Sequence, residues 1–181
     1  MTTTGELVVL LSDEGDEIGT ALKSEVHTTD TALHLAFSCH VFNQAGQILV
    51  TRRALEKKTW PGVWTNSFCG HPAPGESFEQ AITRRAQQEL GLSLDSISSA
   101  VPDFRYRAVD ASGIVENEIC PVYVATVSTE PLPNPSEVCE YAWVDPQELF
   151  TSVQKASFAF SPWLTLQLPK LQEAGLLTPF G

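Results

Sequence analysis

The segment from Trp60 to Leu92 constrains the fold more than any other part of the chain, because a turn-rich run passes straight into an amphipathic helix. Apolar residues recur there at i, i+4 spacing, which predicts a helix of about fourteen residues packed on a core. They are Phe78, Ile82, Ala86 and Leu90. Ser77 is suited to cap the start of this helix, and Gly91 is suited to end it.

Two charged side chains of this helix face its apolar side. At about 100° per residue, Glu89 falls within the apolar stripe and Arg85 at its edge, while Arg84, Gln87 and Gln88 point away. An internal i, i+4 ion pair is one explanation, and on a surface it would stabilise the helix by only a few tenths of a kcal/mol. Because inward-facing charges are costly unless they are paired or liganded, the pattern favours a functional site.

Length and charge limit the class of protein. A chain of 181 residues with 43% hydrophobic content suits one domain, residues 1–181, with a substantial core. The net charge of −11 disfavours nucleic acid and anionic membranes as partners. No apolar run reaches the length of a membrane span, and the N-terminus lacks the basic region of a secretory signal. We therefore expect a cytoplasmic monomer that binds neither nucleic acid nor membrane.

The cysteines and the cations are distributed differently. Cys39, Cys69, Cys120 and Cys139 form no Cys-x-x-Cys motif, which argues against a zinc ribbon or a redox pair. The cations are clustered at residues 52–58, 84–85 and 105–107. They could be ordinary solubilising charge, but local basic clusters in an acidic chain better suit a small polyanion such as a diphosphate.

Along the rest of the chain, strand patterns are interleaved with helix patterns. Strands are predicted at residues 6–12, 18–23, 35–42, 47–53, 101–109, 118–127 and 139–144, with 35–42 and 47–53 joined as a hairpin. A short helix is expected from Asp145 to Phe150, and a final helix is expected from Ser161, which Pro169 should interrupt or kink. This order predicts an α/β fold with a mixed sheet covered on both faces.

Residues 70–92 resemble the Nudix box, G-x5-E-x7-R-E-U-x-E-E-x-G-U, where U is aliphatic. The sequence keeps the box residues Gly70, Glu76, Arg84, Glu89, Gly91 and Leu92. It departs from the box at Arg85 and Gln88, where glutamates help to bind metal, and these departures argue against diphosphate hydrolysis.

A closer resemblance extends from residue 7 to residue 163. The stretches HLAFSCHVFN, NSFCGHP, ENEICPVY and AFSPW are similar to those of type 1 isopentenyl-diphosphate delta-isomerases. That family has a Nudix α/β/α sandwich, so the resemblance implies a single Nudix-like domain. It also implies conversion of isopentenyl diphosphate to dimethylallyl diphosphate, in isoprenoid biosynthesis, by protonation at C4 and deprotonation at C2.

Three histidines and two glutamates are candidates for a metal site. Glu116 and Glu118 are spaced i, i+2, so both carboxylates face one side of an extended segment. Spacing alone is weak evidence, but the resemblance implies that His27, His34, His71, Glu116 and Glu118 are metal ligands. Imidazole ligands favour Mn²⁺, Zn²⁺ or Fe²⁺ over Mg²⁺, and we expect Mn²⁺ or Zn²⁺. His40 matches no ligand of the family and is interpreted as structural.

The resemblance also assigns the substrate site. A second ion, Mg²⁺, would be held by Glu89 and the backbone carbonyl of Cys69 together with the diphosphate. The diphosphate itself would be bound by four cations, which are Lys23, Arg53, Lys57 and Arg85.

Four further roles follow from the resemblance. Cys69 and Glu118 would transfer protons on opposite faces of the substrate, with Tyr106 assisting Glu118, and Trp163 would cover the carbocation with its π face. Each residue also has an ordinary alternative: a loop thiol, a strand residue or a core aromatic. Two other functions stay open, a Nudix hydrolase of nucleoside diphosphate derivatives and a non-catalytic metal- or diphosphate-binding module. The second is disfavoured because binding alone needs neither a thiol nor a phenol.

Overall fold

The computed structural model describes residues 5–177. The strands are β1 (Leu7–Leu11), β2 (Glu17–Leu22), β3 (His34–Leu35), β4 (Phe37–Phe42), β5 (Ile48–Arg53), β6 (Trp64–Thr65), β7 (Phe68–Gly70), β8 (Ser96–Val101), β9 (Arg105–Val109), β10 (Val115–Ile119), β11 (Val122–Thr126) and β12 (Val138–Val144). The helices are α1 (Lys23–Val26), α2 (Phe78–Leu90), α3 (Pro146–Lys155) and α4 (Pro162–Glu173). Of the helices within the described residues, none has both the length and the apolar character needed to cross a bilayer.

The strands form two mixed sheets, whereas the sequence predicted one. The five-stranded sheet has the order β2-β1-β3-β10-β9. The seven-stranded sheet has the order β12-β5-β4-β11-β8, with β6 paired to β5 and β7 paired to β4. The pairs β3–β10 and β4–β11 are parallel, and the other pairs are antiparallel. The α/β class with a mixed sheet is therefore confirmed, and the number of sheets is corrected to two.

Three segments of the chain contribute strands to both sheets. Residues 34–42, 96–109 and 115–126 each contribute one strand to the five-stranded sheet and another to the seven-stranded sheet. The prediction of single strands at 35–42, 101–109 and 118–127 is therefore wrong, because each segment bends where it changes sheet. Backbone hydrogen bonds continue across the bend, from Ala36 N to Ile119 O at 2.9 Å and from Ser38 N to Pro121 O at 3.1 Å.

Helix α2 begins and ends where the sequence predicted. Ser77 caps it through a reciprocal pair of bonds with Gln80, and Gly91 ends it with a left-handed φ of 60°. Its buried residues pack with those of β4 and β5 in one core cluster, which includes Ile82, Leu90, Phe37 and Leu49.

A second core cluster lies under helices α3 and α4. It joins Leu149, Val153, Leu164 and Leu168 of these helices to residues such as Phe42 on the opposite face of β4. Since residues 37 and 42 of one strand belong to different clusters, the seven-stranded sheet is covered on both faces, as predicted.

The remaining predictions need three corrections. Strand β5 meets β4 only at Phe42–Ile48 and pairs along most of its length with β12, because β6 and β7 lie between the diverging strands. Helix α3 is capped by Asp145 as expected but extends beyond Phe150 to Lys155. Helix α4 continues through Pro169, so the predicted interruption does not occur, and Leu168 and Leu171 on either side of it are buried in the core.

Candidate active site

A cavity of about 470 Å³ lies where the two sheets meet. Its walls come from β7 of the seven-stranded sheet, from β9 and β10 of the five-stranded sheet, and from α1, α2 and α4. Every predicted site residue except His34 lines this cavity. His34 is fully buried behind the wall, so the fold brings the predicted set together around one space.

Strand register explains how Glu118 reaches its neighbours. Glu118 stands opposite His34 across the parallel β3–β10 pair and opposite Tyr106 across the antiparallel β9–β10 pair. Directly opposed residues project from the same face of a sheet, so the three side chains are adjacent. Glu116, two positions earlier, projects from that face as well, which confirms the predicted i, i+2 arrangement.

A cluster of potential metal ligands surrounds this carboxylate. His27, His34, His71 and Glu118 offer ligand atoms that all lie within 4.8 Å of one another. Glu118 Oε1 is 3.0 Å from His71 Nε2 and 3.3 Å from His34 Nε2. Burial alone would raise the pKa of Glu118, but its contacts with His34 and His71 hold the pKa well below its usual range. The carboxylate is therefore ionised.

The fifth predicted ligand, Glu116, extends the cluster. Its Oε2 is 2.9 Å from His27 Nε2, and its Oε1 accepts a 2.9 Å hydrogen bond from Thr59 Oγ1. His27 Nε2, His34 Nε2 and Glu116 Oε2 are buried, and within residues 5–177 their close contacts with neighbouring site atoms lack hydrogen-bond geometry. Buried polar atoms are normally paired, so these converging atoms fit a divalent cation.

Backbone contacts orient one of these rings. His34 Nδ1 lies 2.9 Å from the Ala32 carbonyl. The carbonyl can only accept, so Nδ1 carries a proton and Nε2 is the ring nitrogen that faces the cluster. A histidine held in this way is the usual arrangement of a metal ligand.

Tyr106 contacts the other oxygen of Glu118. Its hydroxyl donates a 3.0 Å hydrogen bond to Glu118 Oε2. Burial, followed by the charge of Glu118, raises the pKa of Tyr106 well above its usual value, so the phenol keeps its proton. One carboxylate thus faces the histidines with one oxygen and a phenol with the other.

Cys69 lies on the wall formed by the other sheet. It belongs to β7, which pairs with β4 so that Cys69 is opposite Ser38. Its sulfur is 3.2 Å from Ser38 Oγ and 3.3 Å from Asn66 Oδ1. Burial raises the pKa of Cys69 to about 12, so the side chain is a thiol.

Trp163 places a buried indole against the cavity. Its ring centroid is 5.8 Å from that of Tyr106 and 5.3 Å from that of Trp60. The Arg53 guanidinium carbon lies 5.3 Å from the indole centroid, so the ring already contacts a cation.

The four predicted diphosphate-binding cations all line the cavity, and each has a polar partner there. Lys23 pairs with Glu6 at 2.7 Å, Lys57 pairs with Glu137, and Arg85 pairs with Glu89. Arg53 donates to the Thr59 carbonyl at 2.9 Å. Arg85 and Glu89 therefore form the i, i+4 ion pair that was one explanation of their inward-facing charges. The pair is buried at the cavity wall, which also fits a functional site.

Two retained box residues hold the loop that follows β7. Arg84 donates two hydrogen bonds of 2.8 Å to the Glu76 carboxylate, and a third, of 3.2 Å, to the His71 carbonyl. Glu76 also accepts from Ala73 N at 2.8 Å. The pair thereby fixes the backbone that carries His71.

Asn66 and Glu137 are among the site residues that the sequence did not predict. Asn66 accepts hydrogen bonds from both Cys69 and Trp163, and its place three residues before Cys69 in the NSFCGHP stretch could have indicated it. Glu137 lines the cavity beside Lys57 and Arg85, but it lies in a proline-rich loop that gives no such signal.

Comparison with known proteins first identifies the class. The NUDIX domain model matches residues 32–164. Similar folds occur in a solved Deinococcus radiodurans structure (TM-score 0.71, 19% identity, 91% of this chain and 98% of that chain) and in the MutT protein of Methanosarcina mazei (TM-score 0.62, 17% identity, 79% and 95%). The fold is therefore that of a Nudix domain, as predicted.

Curated relatives identify the particular family. The isopentenyl-diphosphate Delta-isomerase of Clavibacter sepedonicus is 66% identical over 166 residues, covering 92% of this chain and 87% of the relative. That of Leifsonia xyli is 61% identical over 183 residues, covering 100% and 99%, and that of Klebsiella pneumoniae is 53% identical over 176 residues, covering 97% and 96%. The chain belongs to the isopentenyl-diphosphate Delta-isomerase family, which confirms the predicted resemblance.

Proposed function

We infer that this enzyme converts isopentenyl diphosphate to dimethylallyl diphosphate. The observation that supports the inference most directly is the placement of Cys69 and Glu118. They come from different sheets and line one cavity, which is what a reaction with a proton donor on one side and an acceptor on the other requires.

The reaction needs one proton to be added and another to be removed, so groups on both walls of the cavity take part. The π electrons of the substrate form a bond from C4 to a proton given by the enzyme, which leaves positive charge at C3. Loss of a proton from C2 returns an electron pair and forms the C2–C3 double bond. Cys69 serves one face and Glu118, with Tyr106, serves the other. Because the same groups act in both directions, the donor and acceptor roles exchange when the reaction reverses.

The positive charge at C3 must be shielded from water, which would otherwise add to it. We assign this role to Trp163, whose buried indole lies 5.8 Å from Tyr106, beside the proposed proton-transfer groups. An aromatic face over a desolvated cation stabilises it by about 2 kcal/mol.

The histidine–glutamate cluster is the proposed site of one divalent ion, Mn²⁺ or Zn²⁺, with His27, His34, His71, Glu116 and Glu118 as ligands. When bound, such an ion supplies fixed positive charge that lowers the proton affinity of Glu118. The chain itself contributes the orientation of that carboxylate, through strand register and through the hydrogen bond from Tyr106.

The cations at the cavity wall are the proposed diphosphate site. Lys23, Arg53, Lys57 and Arg85 would exchange their present partners for phosphate oxygens, with Mg²⁺ held between the diphosphate, Glu89 and the Cys69 carbonyl. The exchange leaves the diphosphate intact, since Arg85 and Gln88 replace two carboxylates that hydrolysis uses to hold metal.

The proposed partners are limited to this small substrate. We propose that the chain acts in the cytoplasm as a monomer, without nucleic acid or membrane, and its net charge of −11 supports the last two exclusions. Light scattering that gave twice the 19.8 kDa chain mass would contradict the monomer.

Incubation with isopentenyl diphosphate in heavy water and Mg²⁺ tests the function. An isomerase incorporates deuterium into the allylic product and releases no phosphate. Phosphate release from this substrate or from nucleoside diphosphate sugars, without deuterium uptake, would support the hydrolase instead.

A further inference from the structure

A chain of buried hydrogen bonds leads from Cys69 into the protein interior. Ser38 Oγ is 3.2 Å from the Cys69 sulfur, and Gln167 Nε2 donates to Ser38 Oγ at 2.9 Å. Gln167 Oε1 in turn lies 2.9 Å from His40 Nε2. Ser38, His40 and Gln167 are fully buried, and none of them lines the cavity. These three hydrogen-bonded residues therefore lie behind the Cys69 thiol and out of reach of substrate.

The direction of these bonds follows from the histidine. Burial lowers the pKa of His40 to about 4, so the ring is neutral and carries one proton. Gln167 Oε1 can only accept, which places that proton on Nε2. His40 Nδ1 is buried and has no hydrogen-bond partner in the described part of the chain. An unpaired buried group is costly. The one hydrogen bond that the ring does make, from Nε2 to Gln167 Oε1, orients the Gln167 amide.

The amide orientation determines what the Ser38 hydroxyl can do. Because Ser38 Oγ accepts from Gln167, its own proton remains to be donated, and two sulfurs are within reach. Cys120 Sγ is 3.3 Å away and Cys69 Sγ is 3.2 Å away. The Cys120 thiol can donate to the second lone pair of Ser38 across this 3.3 Å contact. The Ser38 proton is then directed to Cys69.

A second hydrogen bond also orients the Cys69 sulfur. The Cys69 thiol donates to Asn66 Oδ1 at 3.3 Å. Cys69 thus has a donor on one side, Ser38, and an acceptor on the other, Asn66. Two fixed contacts define one orientation of a side chain whose only heavy-atom rotation is χ1.

We propose that Ser38 and Gln167 are positioning residues, which hold the Cys69 sulfur in the single rotamer that faces the substrate cavity. The proposal rests on the proposed role of Cys69 in proton transfer. A reacting group misplaced by about 1 Å costs on the order of a hundredfold in rate, so loss of these contacts should lower kcat and leave substrate binding unchanged. Neither residue lines the cavity that would hold the diphosphate.

Steady-state kinetics of four variants test the proposal. Ser38→Ala should lower kcat roughly 10- to 100-fold, with the KM for isopentenyl diphosphate unchanged, and Gln167→Leu should lower kcat by a smaller factor. The double variant should be no slower than Ser38→Ala, because Gln167 acts only through Ser38. Ser67→Ala is the matched control: this buried serine bonds to Val41 N and Leu49 O, away from the thiol, and its loss should leave kcat unchanged.

A measurement without turnover keeps the test independent of the proposed function. In crystals of the metal-loaded Ser38→Ala protein, Cys69 should occupy more than one χ1 rotamer, whereas Ser67→Ala should retain one. A single unchanged rotamer in Ser38→Ala, a wild-type kcat, or multiplicative losses in the double variant would each overturn the proposal. Failure of the wild-type protein to incorporate deuterium would instead overturn the proposed function, and the rotamer result would still decide the positioning role.

Discussion

The indole nitrogen of Trp163 donates a 3.0 Å hydrogen bond to the side-chain oxygen of Asn66. The same oxygen accepts from the Cys69 thiol at 3.3 Å. The Asn66 amide is anchored in turn, since its nitrogen donates to the carbonyls of Cys39 and Phe68 at 3.1 and 2.8 Å. One backbone-anchored amide therefore sets the indole and the thiol relative to each other.

Substitution of the indole tests its role beside the cation. Trp163→Leu should lower kcat about 30-fold, since a cation–π contact of about 2 kcal/mol is lost, and Trp163→Phe should lower it less. Steady-state kinetics on variants shown to be folded by circular dichroism would measure this. Trp143→Phe, which removes only a contact with Glu130 outside the cavity, is the control. Equal kcat for the Leu and Phe variants would exclude a role for the aromatic face.

The two proposed proton-transfer groups should each be indispensable. We expect Cys69→Ala and Glu118→Gln to lower turnover by at least about a thousandfold. Cys69→Ala should still bind isopentenyl diphosphate in calorimetry, because the thiol contacts no phosphate. Cys139→Ala, which removes an exposed thiol outside the cavity, should be fully active. Near wild-type turnover by Cys69→Ala would disprove the two-wall mechanism.

The phenol at Glu118 offers a narrower test. Tyr106→Phe removes the 3.0 Å hydrogen bond to Glu118 Oε2 and should lower kcat roughly tenfold or more. Tyr123→Phe is a suitable control, because Tyr123 packs on Phe78 and does not line the cavity. If the two variants show the same kcat, Tyr106 has no part in proton delivery.

Metal content tests the ligand assignment without turnover. His71→Ala and Glu116→Gln should each reduce the bound Mn²⁺ or Zn²⁺ measured by elemental analysis of the purified protein, because each removes one of the five proposed ligands. Glu140→Gln, at an exposed pair with Arg52, should keep full metal content. Full metal content and activity in both ligand variants would show that the assignment is wrong.

Gly70 should be required by packing. A Cβ at this position would lie 2.7 Å from Arg85 Cγ and 2.8 Å from Phe37 Cζ. Gly70→Ala should therefore lower the free energy of unfolding by about 1–3 kcal/mol in urea titrations. Gly19→Ala, whose nearest neighbour would be Leu10 Cδ1 at 3.9 Å, should change it by less than about 0.5 kcal/mol. Similar midpoints for the two variants would contradict the expected clash.

The elements that could be predicted from the sequence are those with local signals. Helix α2 has an apolar repeat, a capping serine and a terminal glycine, and its bounds are confirmed. The change of sheet within residues 34–42 has no such signal, because β3 and β4 share one extended pattern interrupted only at Ala36. Pro121 does mark the equivalent change between β10 and β11, since proline cannot donate to a ladder.

The site shows the same contrast between local and distant signals. The proposed ligand and proton-transfer residues were predicted through motif resemblance, and the fold brings all of them except His34 to the wall of one cavity. The residues that support them could not be predicted, because their contacts are distant in sequence. Gln167 and Ser38 are 129 positions apart and meet only because α4 covers one face of β4.

The continuity of three segments through both sheets has a mechanical consequence. Cys69 and Glu118 stand on different sheets, and residues 34–42, 96–109 and 115–126 each contribute one strand to either sheet. In many enzymes the closure of loops or domains completes the catalytic site, whereas here three shared segments already link the two sheets that carry the proposed proton-transfer groups. A one-residue slip in strand register would turn every side chain of the strand to the other face, so the register helps to set the distance between the two groups. The fold therefore relates the positions of the two groups on which the proposed movement of the double bond depends.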